Sequence, residues 1–339
     1  MRKFFAIAAA SLGLLLFLAV AAELIFGTWL SEDPLDQLGL ARDSAVTVQP
    51  GTLYAGGADF VYRRDHWGFR GAGLDPAKIG ILTVGGSTTN QLYLPDDATW
   101  QVVMERALGA EGRDAVVANA GVEGQSTIGH VRAMADWFPH VPALRPRFVM
   151  FYVGLNDIQL TGSWGDQLRQ SSRAKWVRQH SALVRVWNNL AERKARLSPR
   201  PVDYAKAEWT ERPLQPNWKP DKAALSDYKE RLRQLAEMTH AMGAVPILVT
   251  QPRGDYRVSG GKVLGLVEDG VLNGVDHYRR LAAYNQATRE VCEDQGLLCL
   301  DPAREISFEP GDFYDYVHNS PQGSQKLGRW FAAKLAGLV

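Results

Sequence analysis

The sequence predicts an α/β protein in which helices cover both faces of a parallel β-sheet, behind a single N-terminal transmembrane helix. Two observations lead to this prediction. Short apolar segments alternate with segments whose apolar residues recur at helical spacing, which is the pattern of a parallel sheet with crossover helices. In addition, an uncharged apolar run near the N-terminus is long enough to cross a bilayer.

The predicted strands and helices alternate from residue 79 to the C-terminus. Strands are expected at 79–84, 115–118, 148–153, 247–250 and 297–300. Helices are expected near 97–108, with an Asp available as its cap, and near 223–242, 277–294 and 321–338. Ligands of such sheets bind beyond the carboxyl ends of the strands. Functional residues are therefore expected in the loops that follow the strands.

The N-terminus indicates export from the cytoplasm. Arg2 and Lys3 precede the apolar run at 4–22. About 20 apolar residues span a bilayer, and flanking basic residues stay on the cytoplasmic side. We interpret the run as a signal anchor in a bacterial inner membrane, with the rest of the chain in the periplasm. Ala19-Val20-Ala21 leaves a cleaved signal peptide as the alternative, in which case the protein is exported or secreted.

The rest of the chain divides into two further segments. Residues 31–75 are interpreted as a stalk and an N-terminal extension that packs on the domain at 76–339. That domain carries a helical insertion at about 160–220, interpreted as an accessory helix over the core or, alternatively, as a lid or membrane-facing element. Lys and Arg number 38 against 37 Asp and Glu, so no concentrated basic face predicts a nucleic-acid partner. No zinc-ligand spacing is present, and we expect neither a metal nor a cofactor.

The two cysteines, Cys292 and Cys299, allow two interpretations. In an oxidising compartment they can form a disulfide between a helix end and the next strand. They can equally be two buried, reduced thiols.

Three predicted strands are followed by glycines and polar residues that can take part in chemistry at the sheet edge. Ser87 follows two glycines, which allow a sharp turn that exposes its hydroxyl group. Such a turn is also compatible with a phosphate loop, but the Lys of a P-loop is missing. Gly124 follows the second strand and can offer a backbone N–H. Asn156 follows the third strand and can offer a side-chain amide.

A fourth motif stands immediately before the last predicted helix. Asp315 and His318 are three residues apart, so the carboxylate can hold one ring nitrogen while the other faces a serine. The positive end of the helix that starts near Pro321 should help to keep the resting imidazole neutral. An isolated Asp-x-x-His pair is more often structural than catalytic.

In this order the four motifs resemble those of the SGNH hydrolases, the GDSL-like lipase/esterase family. The resemblance extends from about residue 79 to the end. The first block, usually Gly-Asp-Ser, is Gly-Gly-Ser at 85–87, as in the membrane-anchored bacterial branch. The third block is Gly-Leu-Asn-Asp at 154–157, and the last is Asp-Tyr-Val-His at 315–318.

The resemblance implies a flavodoxin-like three-layer α/β/α sandwich with a central parallel sheet of about five strands. It also implies a catalytic triad of Ser87, Asp315 and His318. The implied oxyanion hole consists of Ser87, Gly124 and Asn156, although Gly121 is close enough to be the block-two glycine instead.

These observations predict an extracytoplasmic serine ester hydrolase that acts on acylated envelope glycans or lipids. An O-acyltransferase for an envelope polysaccharide would use the same triad, and the sequence does not separate the two. A non-catalytic envelope binding protein on the same fold is a further alternative, but it would not need all of these residues.

Overall fold

The computed structural model describes residues 2–29, 33–159, 177, 180–184, 186–187, 201–268, 270–309 and 311–339. The chain forms two compact units. One comprises Met1–Leu40 and Leu168–Ser198, and the other comprises Ala41–Gln167 and Pro199–Val339. Most of the predicted helical insertion between residues 160 and 200 lies outside the described residues.

The first unit is dominated by one apolar helix, α1 (Arg2–Phe26), whose most apolar window has a mean hydropathy of 2.5. Its 25 residues correspond to about 37 Å of helix, which exceeds the roughly 30 Å hydrocarbon core of a bilayer. This helix is therefore long and apolar enough to cross a membrane, as a signal sequence would also be. Near its end, the Glu23 carboxylate accepts hydrogen bonds from the backbone N–H groups of Ala182 and Leu183 at 3.0 and 3.1 Å.

The second unit contains all the strands found in the described residues. They are β1 (Ser44–Val48), β2 (Phe60–Arg64), β3 (Ile79–Gly85), β4 (Val116–Asn119), β5 (Phe148–Tyr152), β6 (Trp209–Thr210), β7 (Val245–Val249), β8 (Tyr256–Ser259), β9 (Lys262–Leu266) and β10 (Leu298–Leu300).

The helices of this unit connect the strands. They are α2 (Ser87–Asn90), α3 (Trp100–Ala110), α4 (Thr127–Arg132), α5 (Lys222–Ala241), α6 (Gly274–Gln295), α7 (Pro302–Glu305) and α8 (Pro321–Leu335).

The central sheet has five parallel strands in the order β10-β7-β5-β3-β4. This confirms the predicted parallel sheet of about five strands and its flavodoxin-like order. The first strand in the sequence, β3, lies between β4 and β5, so the strand order reverses there. Gly85 at the end of β3 pairs with Tyr152 at the end of β5, and Thr83 pairs with Asn119 at the end of β4. The loops after these three strands consequently meet at one edge of the sheet.

Apolar side chains cover both faces of this sheet. Met150 and Tyr152 belong to the core cluster formed with α3 and α8, where the Trp100 and Phe331 rings lie 5.0 Å apart. Because side chains alternate along a strand, the equally buried Val149 and Phe151 face the opposite layer. The helices α5 and α6 pack there against each other and β7. Burial on both faces explains the uninterrupted apolar sequence of β5.

The predicted helix near 97–108 begins later than expected. Asp96–Ala98 forms a separate 3-10 turn, and Thr99 caps α3 by accepting a hydrogen bond from the Val102 N–H at 3.5 Å. An Asp is therefore not the cap. The adjacent aspartates compete for turn conformations outside the helix, which shifts its start toward Trp100.

Two antiparallel sheets were not predicted from the sequence. β1 and β2 pair as a hairpin within the extension at 31–75, and β6, β9 and β8 form a three-stranded sheet. Both consist of short strands with several exposed residues, so their sequence carries a weak hydrophobic signal. The structure also links Cys292 in α6 to Cys299 in β10 by a disulfide, with their Cα atoms 5.9 Å apart.

Candidate active site

Ser87 lies at the first position of α2, directly beyond the carboxyl end of β3. The two preceding glycines are required by close packing. A methyl group on Gly85 would lie 2.9 Å from the Tyr152 carbonyl oxygen, and one on Gly86 would overlap the Asn156 amide. The backbone can therefore pass close to the loop after β5 only without side chains at these two positions.

The structure brings together the three residues that the sequence grouped as a triad. His318 Nε2 lies 2.8 Å from Ser87 Oγ, and His318 Nδ1 lies 2.7 Å from Asp315 Oδ2. The other carboxylate oxygen, Oδ1, accepts hydrogen bonds from the backbone N–H groups of Val317 and His318 at 2.9 and 2.7 Å. These bonds fix the orientation of the carboxylate, because they hold it within the same short loop as the imidazole.

Burial and the contact between the two residues shift the pKa values of His318 and Asp315 in opposite directions. Burial alone would lower the pKa of His318, but the hydrogen bond and charge of Asp315, together with the charge of Glu123, raise it above 6.5. Burial alone would raise the pKa of Asp315, but the His318 contacts lower it below 3.8. The contacts with Asp315 thus act on the pKa of His318 in the direction opposite to that expected for the positive end of α8.

Two glycines of the loop after β4 differ in their backbone N–H groups. The Gly121 N–H donates to the Asn119 side-chain oxygen at 2.9 Å. Gly124 is exposed and has a φ of +70°, and its N–H has no acceptor within the described part of the chain. The geometry thus leaves Gly124, rather than Gly121, with an N–H group that can bind a substrate oxygen.

Asn156 begins the 3-10 turn Asn156–Gln159, beyond the end of β5. Its side-chain nitrogen donates to the Gln125 carbonyl oxygen at 2.8 Å. The same nitrogen lies so close to Gly86 that a methyl group there would overlap it, so the amide packs against the Ser87 turn. A primary amide carries two hydrogens, so one remains for a substrate oxygen. No sequence pattern indicated the Gln125 contact, which fixes the amide beside Gly124.

Asp157 has a structural role that no sequence pattern indicated. Its fully buried carboxylate accepts hydrogen bonds from the Thr127 hydroxyl at 2.5 Å and the Thr127 N–H at 3.3 Å, and it pairs with Arg231 at 3.4 Å. Burial raises the pKa of this carboxyl group. The contacts tie the Asn156 turn to the N-terminus of α4, which follows the loop that holds Gly124.

A second charged cluster lies beside the loop that carries the Asp315–His318 pair. Ligand atoms of Asp255, Glu268 and His277 all lie within 4.8 Å of one another, a spacing compatible with a metal ion. However, Arg253 pairs with Asp255 Oδ2 at 2.6 Å, and His277 Nδ1 lies 2.7 Å from the same oxygen. Because the guanidinium already balances this carboxylate, the arrangement is that of an ion-pair network. The neighbouring Gly254 N–H donates to the Tyr316 carbonyl oxygen at 2.9 Å.

The model of the GDSL-like lipase/acylhydrolase family matches residues 83–326. The chain belongs to this family. The matched residues begin within β3 and end within α8, so they include all four motifs identified in the sequence. This lipase/acylhydrolase family member is accordingly an enzyme of the serine ester hydrolase class.

Several solved structures are similar to this GDSL-like hydrolase at low sequence identity. Est24, a carbohydrate acetylesterase from Sinorhizobium meliloti, is 12% identical with a TM-score of 0.44, covering 77% of this chain and 100% of that one. An aryl esterase of M. smegmatis is 13% identical with a TM-score of 0.41, covering 76% and 99%. A lipolytic G-D-S-L family protein from Veillonella parvula is 13% identical with a TM-score of 0.42, covering 76% and 98%. No protein of curated function matches the sequence.

Proposed function

We propose that this chain is an extracytoplasmic serine esterase in which Ser87 is the nucleophile, His318 the general base and Asp315 the residue that orients it. The observation that carries the proposal is the continuous chain of contacts from Asp315 Oδ2 through the His318 ring to Ser87 Oγ, at 2.7 and 2.8 Å. Both distances are within hydrogen-bonding range, and each ring nitrogen has a separate partner.

The proposed reaction proceeds in two acyl-transfer steps. Ser87 Oγ attacks the ester carbonyl carbon while His318 Nε2 takes the hydroxyl proton, and the same proton then passes to the departing alcohol. A water molecule, deprotonated by His318, attacks the acyl-serine, and His318 then returns this proton to Ser87 Oγ as the acid is released. Asp315 holds the Nδ1–H tautomer and stabilises the imidazolium that forms in both steps.

The proposed oxyanion hole consists of the Ser87 N–H, the Gly124 N–H and the Asn156 side-chain amide. The Ser87 N–H is at the first position of α2, where no intrahelical acceptor is available. Neither this group nor the Gly124 N–H has an acceptor among the described residues. Donors that are fixed before the reaction stabilise the developing negative charge without reorganisation.

The proposed location and substrate follow from the N-terminal helix. A helix such as α1, with Arg2 and Lys3 at its start, would place the enzyme on the outer side of the bacterial inner membrane. The substrates within reach there are acylated glycans and lipids of the envelope.

A fluorophosphonate probe tests the nucleophile in the full chain. We expect one label per chain, lost in Ser87→Ala and kept in Ser259→Ala, a matched serine exposed on β8. Loss of label should accompany loss of ester hydrolysis. Wild-type labelling and turnover in Ser87→Ala would overturn the proposal.

A second measurement separates hydrolysis from transfer. An acetylated glycan is incubated with the enzyme, with and without an excess of the unacetylated glycan, and the products are analysed. Release of acetate in both cases supports the esterase. Retention of the acetyl group on the added glycan would instead identify the O-acyltransferase.

A further inference from the structure

We infer that the N-terminal extension is part of the active site, with Arg64 and Arg70 as positioning residues that hold the Ser87 turn and the Gly121–Gly124 loop in place. This inference rests on the proposed role of Ser87. Both arginines precede residues 83–326, the span that matches the family model. They are therefore features of this chain beyond the family's common core.

The extension is joined to the central sheet where β4 ends. The Arg70 N–H donates to the Asn119 carbonyl oxygen at 2.9 Å. Between the two arginines, the Asp65 carboxylate accepts hydrogen bonds from the N–H groups of Trp67 and Phe69 at 3.0 and 2.8 Å. This tight turn brings Arg64 and Arg70 opposite each other as an antiparallel bridge. Their guanidinium groups consequently enter the protein side by side.

Arg70 binds the segment that follows the nucleophile. Its side chain is almost completely buried, and its two terminal nitrogens donate to the carbonyl oxygens of Asn90, Gln91 and Leu94. Its Nε donates to the Asp96 carboxylate at 3.2 Å. The carbonyl groups at the end of a helix lack intrahelical partners, and here the helix is α2, which starts with Ser87. Gln91 has a φ of +52°, so the chain turns sharply at the place where the guanidinium holds it.

Arg64 connects the same turn to the loop after β4. Its Nη2 donates to Asn90 Oδ1 at 2.9 Å and also to the Gly121 carbonyl oxygen. Its Nε donates to the Tyr62 hydroxyl at 2.8 Å, and that hydroxyl donates to Asn90 Oδ1 at 2.7 Å. One guanidinium thus contacts two of the three elements that carry proposed oxyanion donors, the Ser87 turn and the loop after β4.

Asn90 completes the connection. Its side-chain nitrogen donates to Glu123 Oε1 at 2.6 Å, and Glu123 immediately precedes Gly124. The network therefore runs from β2 through Asn90, three residues after Ser87, to the neighbour of the Gly124 N–H. Glu123 also acts electrostatically on His318.

The two buried arginines require hydrogen-bond acceptors that only this arrangement of the loops supplies. Removing a guanidinium from water is costly unless its N–H groups are satisfied. Here the acceptors include three backbone carbonyl oxygens of residues 90–94, for Arg70, and the Gly121 carbonyl oxygen of the loop after β4, for Arg64. The arginines and the turn thus stabilise each other. A lysine cannot replace Arg70, because an ammonium group lacks the planar fork that reaches three carbonyls from one position.

Three variants of the full chain test the inference. Arg70→Lys keeps the charge but not the fork, and Tyr62→Phe removes one hydroxyl while keeping both guanidinium groups. Arg63→Lys, at the exposed neighbouring position, is the control. We measure kcat and KM for ester hydrolysis, the rate of fluorophosphonate labelling and the midpoint of thermal unfolding.

We expect Arg70→Lys to lower kcat and the labelling rate roughly 10²-fold, the loss typical of one misplaced oxyanion donor, with KM changed less than about threefold. Tyr62→Phe should lower both rates roughly 10-fold, and Arg63→Lys should change neither. A merely structural role would reduce the amount of folded protein without this split between kcat and KM. If Arg70→Lys does not fold, Tyr62→Phe decides.

Wild-type kcat and labelling in folded Tyr62→Phe and Arg70→Lys would overturn the inference while leaving Ser87 as the nucleophile. An unlabelled wild-type chain would overturn the proposed function itself, and with it the inference.

Discussion

His318 Nε2 lies 2.8 Å from Ser87 Oγ, although 231 positions separate the two residues in the sequence. The contact forms because Ser87 follows the first strand of the central sheet and His318 immediately precedes its last helix. The flavodoxin-like strand order places both at the carboxyl edge of the sheet.

Replacing Asp315 by Asn should lower kcat about 10³–10⁴-fold. The amide can no longer stabilise the imidazolium, and its N–H₂ group can favour the wrong tautomer of His318. The measurement is steady-state ester hydrolysis, with Asp203→Asn, an exposed aspartate, as the control. An effect below about tenfold would argue against Asp315 as the orienting residue.

The activity should depend on pH through His318. The base must be neutral, and its pKa is raised above 6.5, so kcat/KM should rise with pH through a pKa above 6.5 and then level off. Glu123 contributes to the raised pKa, and Glu123→Gln should therefore move this acid limb to lower pH. A pH profile of kcat/KM for both proteins checks this, and an acid limb in the variant at or above that of the wild type would contradict it.

A methyl group at residue 86 should disturb the oxyanion hole. Gly86→Ala would overlap the Asn156 amide and approach the Gln125 carbonyl oxygen to 3.0 Å. We expect a loss in kcat of roughly 10²–10³-fold, similar to that of Asn156→Ala. Because both changes act on the same donor, the double variant should be little worse than either single one. Gly109→Ala in α3, where a methyl group would meet only the Asp114 carboxylate at 4.0 Å, an ordinary van der Waals distance, is the control. Additive losses in the double variant would show that Gly86 acts elsewhere.

The disulfide should contribute measurably to stability. It joins residues seven positions apart, and closing so short a loop in the unfolded chain is worth about 2.5 kcal/mol in the chain-entropy model. The double variant Cys292→Ser/Cys299→Ser should therefore unfold at lower denaturant concentration by about this free energy. Its kcat should be unchanged, since α6 and β10 carry no proposed catalytic residue. A loss of activity in the folded double variant would contradict that separation.

The sequence predicted the central sheet well because each of its five strands is apolar on both faces and lies between helices with clear periodicity. β5 illustrates this, since all of its residues are buried. The same argument failed for the hairpin of β1 and β2, whose exposed and buried residues are mixed over only a few positions. A short strand on the surface carries too little pattern to be distinguished from a loop.

The sequence by itself determined the family, the alternation of strands and helices and the residues at the strand ends, because these depend on local patterns of apolar residues and on short motifs. Only the tertiary structure decided which glycine has a free N–H, that Asp157 ties two loops together, and that Arg64 and Arg70 bind the nucleophile turn. These are contacts between side chains and distant backbone groups. Their partners are set by how the loops pack together, which no local pattern in the chain records.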